Sequence, residues 1–137
     1  AINQARLAYA AFQKTFSGSR WDALAKAGAS VQRPLWASTS TKNPSYPDTM
    51  YVDQLIGPDT VNTLPDATLE AFAEHGTVAR TIDINIGVSR RQWAELAMNS
   101  IDVDEVAAQL EAEGVASFIK SFDELINALE DKAAGIL

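Results

Sequence analysis

Apolar positions in this chain fall into helical and strand-like stretches that alternate over its first half. Ile2, Ala5, Tyr9, Phe12 and Phe16 recur at intervals of three and four, one face of an amphipathic helix that Ser17-Gly18 ends. A shorter helix is predicted from about Arg20 to Ala27, presenting Trp21 and Leu24 and stopping at Gly28, a residue type favoured just past a helix end. Leu35-Trp36-Ala37 is too apolar to alternate and is predicted as a buried strand of a parallel sheet covered on both faces. Pro44 and Pro47 then mark a loop, because proline cannot continue a helix. Asp48 or Thr49 is placed to cap a helix of one or two turns, with Met50, Leu55 and Ile56 inward and Gly57-Pro58 closing it. Thr60 to Leu64 reads as a second strand. Pro65 suits a first helical position, and Leu69, Phe72 and Ala73 are expected to bury one side of the helix that ends at Gly76.

Helix–strand–helix–strand–helix is the alternation of parallel βα units. Beyond Gly76 it stops. Residues 77–88 show no clear period. Ser89 with Gln92, and Asp102 with Glu105, have the spacing of reciprocal N-terminal caps. The helices they open carry Trp93, Leu96 and Ala97, then Val103, Val106 and Leu110 up to Gly114. A last helix from about Ala116 is predicted to turn Phe118, Phe122, Leu125, Ile126 and Leu129 inward.

Two βα units cannot close a parallel barrel, which needs eight strands and about 250 residues. Two strands alone also leave both sheet edges open. The expected fold class is therefore α/β in parentage: the C-terminal portion of a (β/α)8 TIM-type barrel, about two βα units plus C-terminal helices, mostly helical by content. Residues 1–76 would be the last βα units of an incomplete barrel, and residues 77–137 a helical tail of the same domain. The chain opens at Ala1 without methionine, already inside a helical pattern, so a piece of a longer protein is expected.

Composition narrows the chemistry. With 137 residues, 47% of them hydrophobic and 21% charged, the chain reads as one soluble globular domain. No apolar run approaches the ~18–20 residues that span a bilayer, and no charged-then-apolar leader is present. A net charge of −7 with scattered Lys and Arg argues against nucleic acid or an anionic membrane as partner. No cysteine is available for disulfides or thiol chemistry, and the expected compartment is the cytoplasm.

The densest polar chemistry lies just after the first strand. Ser38, Thr39, Ser40, Thr41, Lys42 and Asn43 place small hydroxyls, an amide and one cation just past a strand end, where barrel enzymes keep their sites and where a phosphate commonly binds. The same residues would also make an ordinary solvated turn. Asn62 and Thr63 end the second strand; Asn62 is a possible substrate contact or a helix cap, and Thr63 reads as a cap. His75, the only histidine, sits at a helix end where it can meet the last carbonyls. Trp21, Trp36 and Trp93 read as core. Lys14, Lys26, Lys120 and Lys132 read as solvated. No metal-ligand spacing, P-loop, Rossmann fingerprint or serine-nucleophile elbow occurs.

Arg33-Pro34-Leu35-Trp36-Ala37-Ser38-Thr39, with Thr41-Lys42-Asn43-Pro44, Tyr46-Pro47-Asp48 and Thr60-Val61-Asn62-Thr63-Leu64-Pro65 after it, resembles the transaldolase family in its longer bacterial form. The likeness covers essentially the whole chain and is strongest from Gln32 to Gly76. It implies that the strands are the seventh and eighth of a barrel. It also implies an enzyme that moves a dihydroxyacetone unit between sugar phosphates, such as fructose 6-phosphate and sedoheptulose 7-phosphate, in the pentose phosphate pathway. That chemistry runs through a lysine Schiff base without metal or organic cofactor. The Schiff-base lysine and the proton-shuttling carboxylates belong to earlier strands, so no catalytic residue is expected here. The substrate phosphate is expected on Ser38, Thr39, Thr41, Lys42 and Asn43, with Asn62 as the further contact. Expected partners are the sugar phosphates and the missing N-terminal part of the barrel. The alternative is a non-catalytic helical module that self-associates.

Overall fold

The computed structural model describes residues 1–135, as two compact units divided after Ala94. The first holds α1 (Ile2–Thr15), α2 (Gly18–Lys26), β1 (Leu35–Trp36), α3 (Met50–Asp53), β2 (Val61–Asn62), α4 (Asp66–His75) and most of α5 (Ile86–Met98). The second holds the end of α5 and α6 (Val103–Ala134).

Local chemistry explains most boundaries of the first unit. Gly28, at φ 95°, takes the left-handed position after α2, and its N–H and that of Ala29 bond back to Ala25 and Leu24 at 3.0 Å each. That is a glycine-closed helix end satisfying otherwise orphaned carbonyls. The bend between α1 and α2 is packed by a run of rings: Tyr9–Phe12 at 5.8 Å, Phe12–Phe16 at 5.3 Å, and Phe16 edge-on to Trp21 at 4.8 Å.

β1 and β2 pair in parallel, Leu35 opposite Val61 and Trp36 opposite Asn62, across the α3 crossover. Both strands are shorter than expected, and β1 is not buried on both faces: Leu35 is 52% exposed. With a single ladder the pair stops after the rungs Val61 N–H to Pro34 O and Thr63 N–H to Trp36 O, both 2.9 Å.

The core cluster is Tyr9, Leu55 and Ile82, with Ile2, Ala5, Phe12 and Trp36 packed on it. Ile82 is 0% exposed, although it lies in the stretch with no clear period. Backbone hydrogen bonds hold it there. Ile56 O accepts from Thr81 N–H at 2.9 Å and from Ile82 N–H at 3.1 Å, while Asp53 Oδ1 takes the Thr77 N–H at 2.8 Å. The residues 77–82 are thus stitched to the end of α3.

Several expectations are corrected. Ser89 does not open a helix: α5 begins at Ile86, and Ser89 is buried within it, its Oγ donating to Asn3 Oδ1 of α1 at 3.1 Å. Gln92 likewise accepts from Asn3 at 2.6 Å. Both polar side chains are drawn sideways to a neighbouring helix instead of back to a helix start. Thr63 does not cap α4. Its N–H serves the β ladder, and Pro65 stands at the N-cap. In α4 it is Thr68 that is buried, while Leu69 is 55% exposed and Ala73 is exposed.

In the second unit Asp102 caps as expected, its Oδ1 accepting from Asp104 N–H at 2.9 Å and Glu105 N–H at 3.2 Å. Gly114 does not end a helix. One helix runs through it, at the ~1 kcal/mol that glycine costs relative to alanine in a helix interior. The stripe expected to face inward is open, with Phe118 81%, Phe122 63% and Leu129 56% exposed. Periodicity marks the stripe but does not supply a surface for it.

Gly57 has no room for a side chain. A β-carbon added there would collide with Ile82 Cγ2 and lie 3.7 Å from Tyr9 Cζ. Gly57→Ala should therefore destabilise the chain by about 1–3 kcal/mol through overpacking, read as a lowered urea midpoint with unchanged slope. An unchanged midpoint would show that Ile82 yields freely.

Candidate functional site

The site grows from the end of β1. Trp36 sits against the core, and the chain leaves the sheet at Ala37. Ser38 takes φ 57°, a left-handed conformation that costs a non-glycine residue ~1–2 kcal/mol. The next residue, Thr39, is 3% exposed, and its Oγ1 donates to Asn62 Oδ1 of β2 at 2.9 Å. Lys42 Nζ donates to Ser40 Oγ at 3.1 Å. Asn43 closes the loop on itself: its Oδ1 accepts from Ser45 N–H at 2.9 Å and its carbonyl from Tyr46 N–H at 3.0 Å. This side-chain mimicry of a turn is a habit of asparagine.

The loop borders a cavity of about 500 Å³. Ser38, Thr39, Ser40, Lys42 and Asn43 form its polar side, and Trp36, Tyr46, Tyr51 and Leu55 are among its apolar lining. Of the residues expected to bind phosphate, Thr41 alone is absent from this wall; it is partly buried in the loop. Asn62 is also absent. It lines a second cavity of about 220 Å³ with Trp36, Val52 and Phe72. Lys42 is exposed and makes no ion pair among the described residues. An exposed cation beside several hydroxyls can accept an anion; no carboxylate between Ser38 and Asn43 competes for it.

Residue chemistry alone does not single out Tyr46 and Tyr51, although Tyr46 stands within the recognised motif. The signal for them is position in the chain: Tyr46 closes the Asn43 turn, and Tyr51 lies in the first turn of α3. Among the described residues no group of His, Asp and Glu is placed to hold a metal ion, and no helix is long and apolar enough to cross a membrane.

The far end of the loop is pinned electrostatically. His75 does not turn to the last carbonyls of α4. Its Nε2 lies 2.9 Å from Asp48 Oδ1, tying the loop to that helix. The hydrogen bond to Asp48 raises the imidazole pKa above 6.5, and the same bond lowers the Asp48 carboxyl below 3.8. Thr49, 3% exposed, continues the attachment, its Oγ1 donating to Asp53 Oδ2 at 2.7 Å.

Residues 1–129 match the family described as transaldolase/fructose-6-phosphate aldolase. A transaldolase of Parafrankia sp. (strain EAN1pec) is 52% identical over 133 residues, covering 96% of this chain and 36% of that protein. A transaldolase of Trichodesmium erythraeum (strain IMS101) is 49% identical over 134 residues, 96% of this chain and 35% of that protein. One of Thermobifida fusca (strain YX) is 46% identical over 135 residues, 98% of this chain and 37% of that protein. The chain spans little more than a third of the length of these relatives.

The Asp48–His75 pair has a defined pH window. The raised histidine contributes fully below its ordinary 6.5 and fades as pH rises through its folded value. The lowered aspartate contributes fully above 3.8 and fades as pH falls through its own. The pair therefore holds the loop end best between those ordinary values. In an NMR titration the His75 midpoint should lie above that of a model peptide, and Asp48→Asn should lower it. A midpoint indifferent to Asp48→Asn would remove the pin.

Proposed function

This chain belongs to the transaldolase/fructose-6-phosphate aldolase family, and we propose that it is the C-terminal third of a longer transaldolase, the part that grips the substrate phosphate. The family implies barrel parentage, and a parallel pair joined through α3 and continued by α4 is the repeating unit of such a barrel. The open face of β1 supports the same reading. A strand of a complete parallel barrel is covered on both sides, and Leu35 is 52% exposed.

The parent enzyme transfers a dihydroxyacetone unit between sugar phosphates, fructose 6-phosphate and sedoheptulose 7-phosphate among them, as part of the pentose phosphate pathway in the cytoplasm. A lysine amine adds to the ketose carbonyl and loses water to form an imine. That imine draws electrons from the carbon–carbon bond that breaks, releases an aldose phosphate, and passes the three-carbon unit to an acceptor aldehyde. The reaction needs no metal or organic cofactor. This chain's share is binding. Lys42 supplies the charge, and Ser38, Thr41 and Asn43 the surrounding polar groups, with Thr39 and Asn62 beside them. Its partners are sugar phosphates and the N-terminal part of the barrel, not nucleic acid or membrane.

One observation carries the reading: the hydroxyl-rich loop leaving the C-terminal end of β1 brings to the wall of a cavity a lysine with no ion pair among the described residues. Lys42 is not the imine-forming residue. A nucleophilic amine is activated by desolvation or by a neighbouring cation, and Lys42 is exposed with no other cation in its loop. The isolated chain is accordingly inactive.

A second reading rests on α6. Its open apolar stripe, Phe118 and Phe122 foremost, fits a non-catalytic helical module that self-associates. Native mass bears on both: a stable monomer argues against the self-associating module, and with no companion peptide it is also hard to reconcile with half a barrel.

In the full-length parent, Lys42→Ala should raise KM for sugar phosphates about tenfold or more, the loss of one charged hydrogen bond of ~1.5–3 kcal/mol. An unchanged KM would return the loop to an ordinary solvated turn. Treating the isolated chain with fructose 6-phosphate and borohydride should leave it unlabelled. A reduced adduct on Lys42 would make it the nucleophile.

A further inference from the structure

The backbone ladder between the strands ends at Thr63 N–H to Trp36 O. Ser38, just past the strand end, takes φ 57°, a conformation that persists in a non-glycine residue only when its surroundings hold it. One residue further on, a part-buried side-chain rung takes the place of the ladder. Thr39, 3% exposed, reaches back across the strands to give its hydroxyl hydrogen to Asn62 Oδ1 at 2.9 Å, across 23 residues of sequence.

A threonine hydroxyl has one hydrogen to donate. While it serves Asn62, it cannot serve a phosphate oxygen, which needs donors. Asn62 in turn pairs with Trp36 in the strand register and lines the smaller cavity, not the one bordered by Lys42. Neither side chain is therefore arranged as a phosphate donor, yet Thr39 lies between Ser38 and Lys42 in the loop that is. We infer that Asn62 is a positioning residue: it acts on the anion-binding loop through the Thr39 hydroxyl, latching the left-handed turn at Ser38 so that Ser38, Ser40, Lys42 and Asn43 line the cavity. This rests on the reading of that loop as the phosphate site.

The test is a double-mutant cycle in the full-length parent, with Lys42→Ala as reference and Thr39→Ser as the conservative variant. Thr39→Val and Asn62→Ala should each raise KM for the sugar phosphate about fivefold, within the range of one neutral hydrogen bond. kcat should stay within about twofold, since no reacting atom is touched. The double variant should cost no more than either single change, because both remove the same bond. Thr39→Ser, which keeps the hydroxyl, should recover most of the loss. A double variant near the product of the singles would overturn the latch by showing two independent contacts. So would an effect of Asn62→Ala without one of Thr39→Val, or no recovery in Thr39→Ser. A raised KM in Lys42→Ala alone would overturn the latch and leave the phosphate site standing. A flat KM in every variant, Lys42→Ala included, would overturn both.

Discussion

Ile82 lies against Gly57, in one cluster with Tyr9 and Leu55, and the first unit is arranged around that contact. A side chain with no solvent exposure needs a neighbour thin enough to admit it, and only glycine leaves that room. Burying an isoleucine contributes ~1.5–3 kcal/mol, so the contact is worth much of a small domain's margin. It joins three segments that no local rule connects: the middle of α1 through Tyr9, the segment just after α3 through Leu55 and Gly57, and the stretch before α5 through Ile82 itself. Trp36 packs on the same cluster, so β1 is seated by it. The candidate site begins two residues later, and its origin is thereby set by the core.

From that seat the loop is held at two ends by different forces. Near β1 the restraint is a part-buried neutral hydrogen bond, Thr39 to Asn62, with no charged group in it. Near α3 it is the exposed Asp48–His75 pair, which water and salt screen and which titrates. Lys42 stands between them, tethered only to Ser40 among the described residues. A cation on so soft a tether can adjust to a charged ligand without disturbing the sheet. The hydroxyls nearby are small enough to let an anion approach the backbone.

Much of this is legible in the chain. The amphipathic period of α1, the glycine closing α2, the Asp102 cap and the βα alternation all arise from interactions among near neighbours, and each of these elements stands where its pattern places it. The loop after β1 is legible twice over, as clustered hydroxyls with a lysine and as part of a motif long enough to indicate a family. The direction in which a side chain turns is far less legible. Leu69 carries the apolar mark of a buried position and lies open, while Thr68 beside it is buried. Ser89 has the spacing of a cap and is instead a bridge between helices. Phe118 and Phe122 form a regular stripe with solvent on it.

The sequence by itself determined the local elements and the chemistry gathered at the end of β1, because helical and strand periods, caps and turn residues are set by neighbours within about one turn. Only the tertiary structure decided who faces whom. The Thr39–Asn62 rung joins residues 23 apart, the Asp48–His75 pair 27 apart, and the Ser89–Asn3 bridge 86 apart. Hydroxyls, amides and an imidazole each have several acceptable partners, and nothing in their spacing chooses among them. The choice is made when packing around Ile82 brings particular backbones within a few ångströms of each other, and the polar side chains then pair with whatever lies in reach.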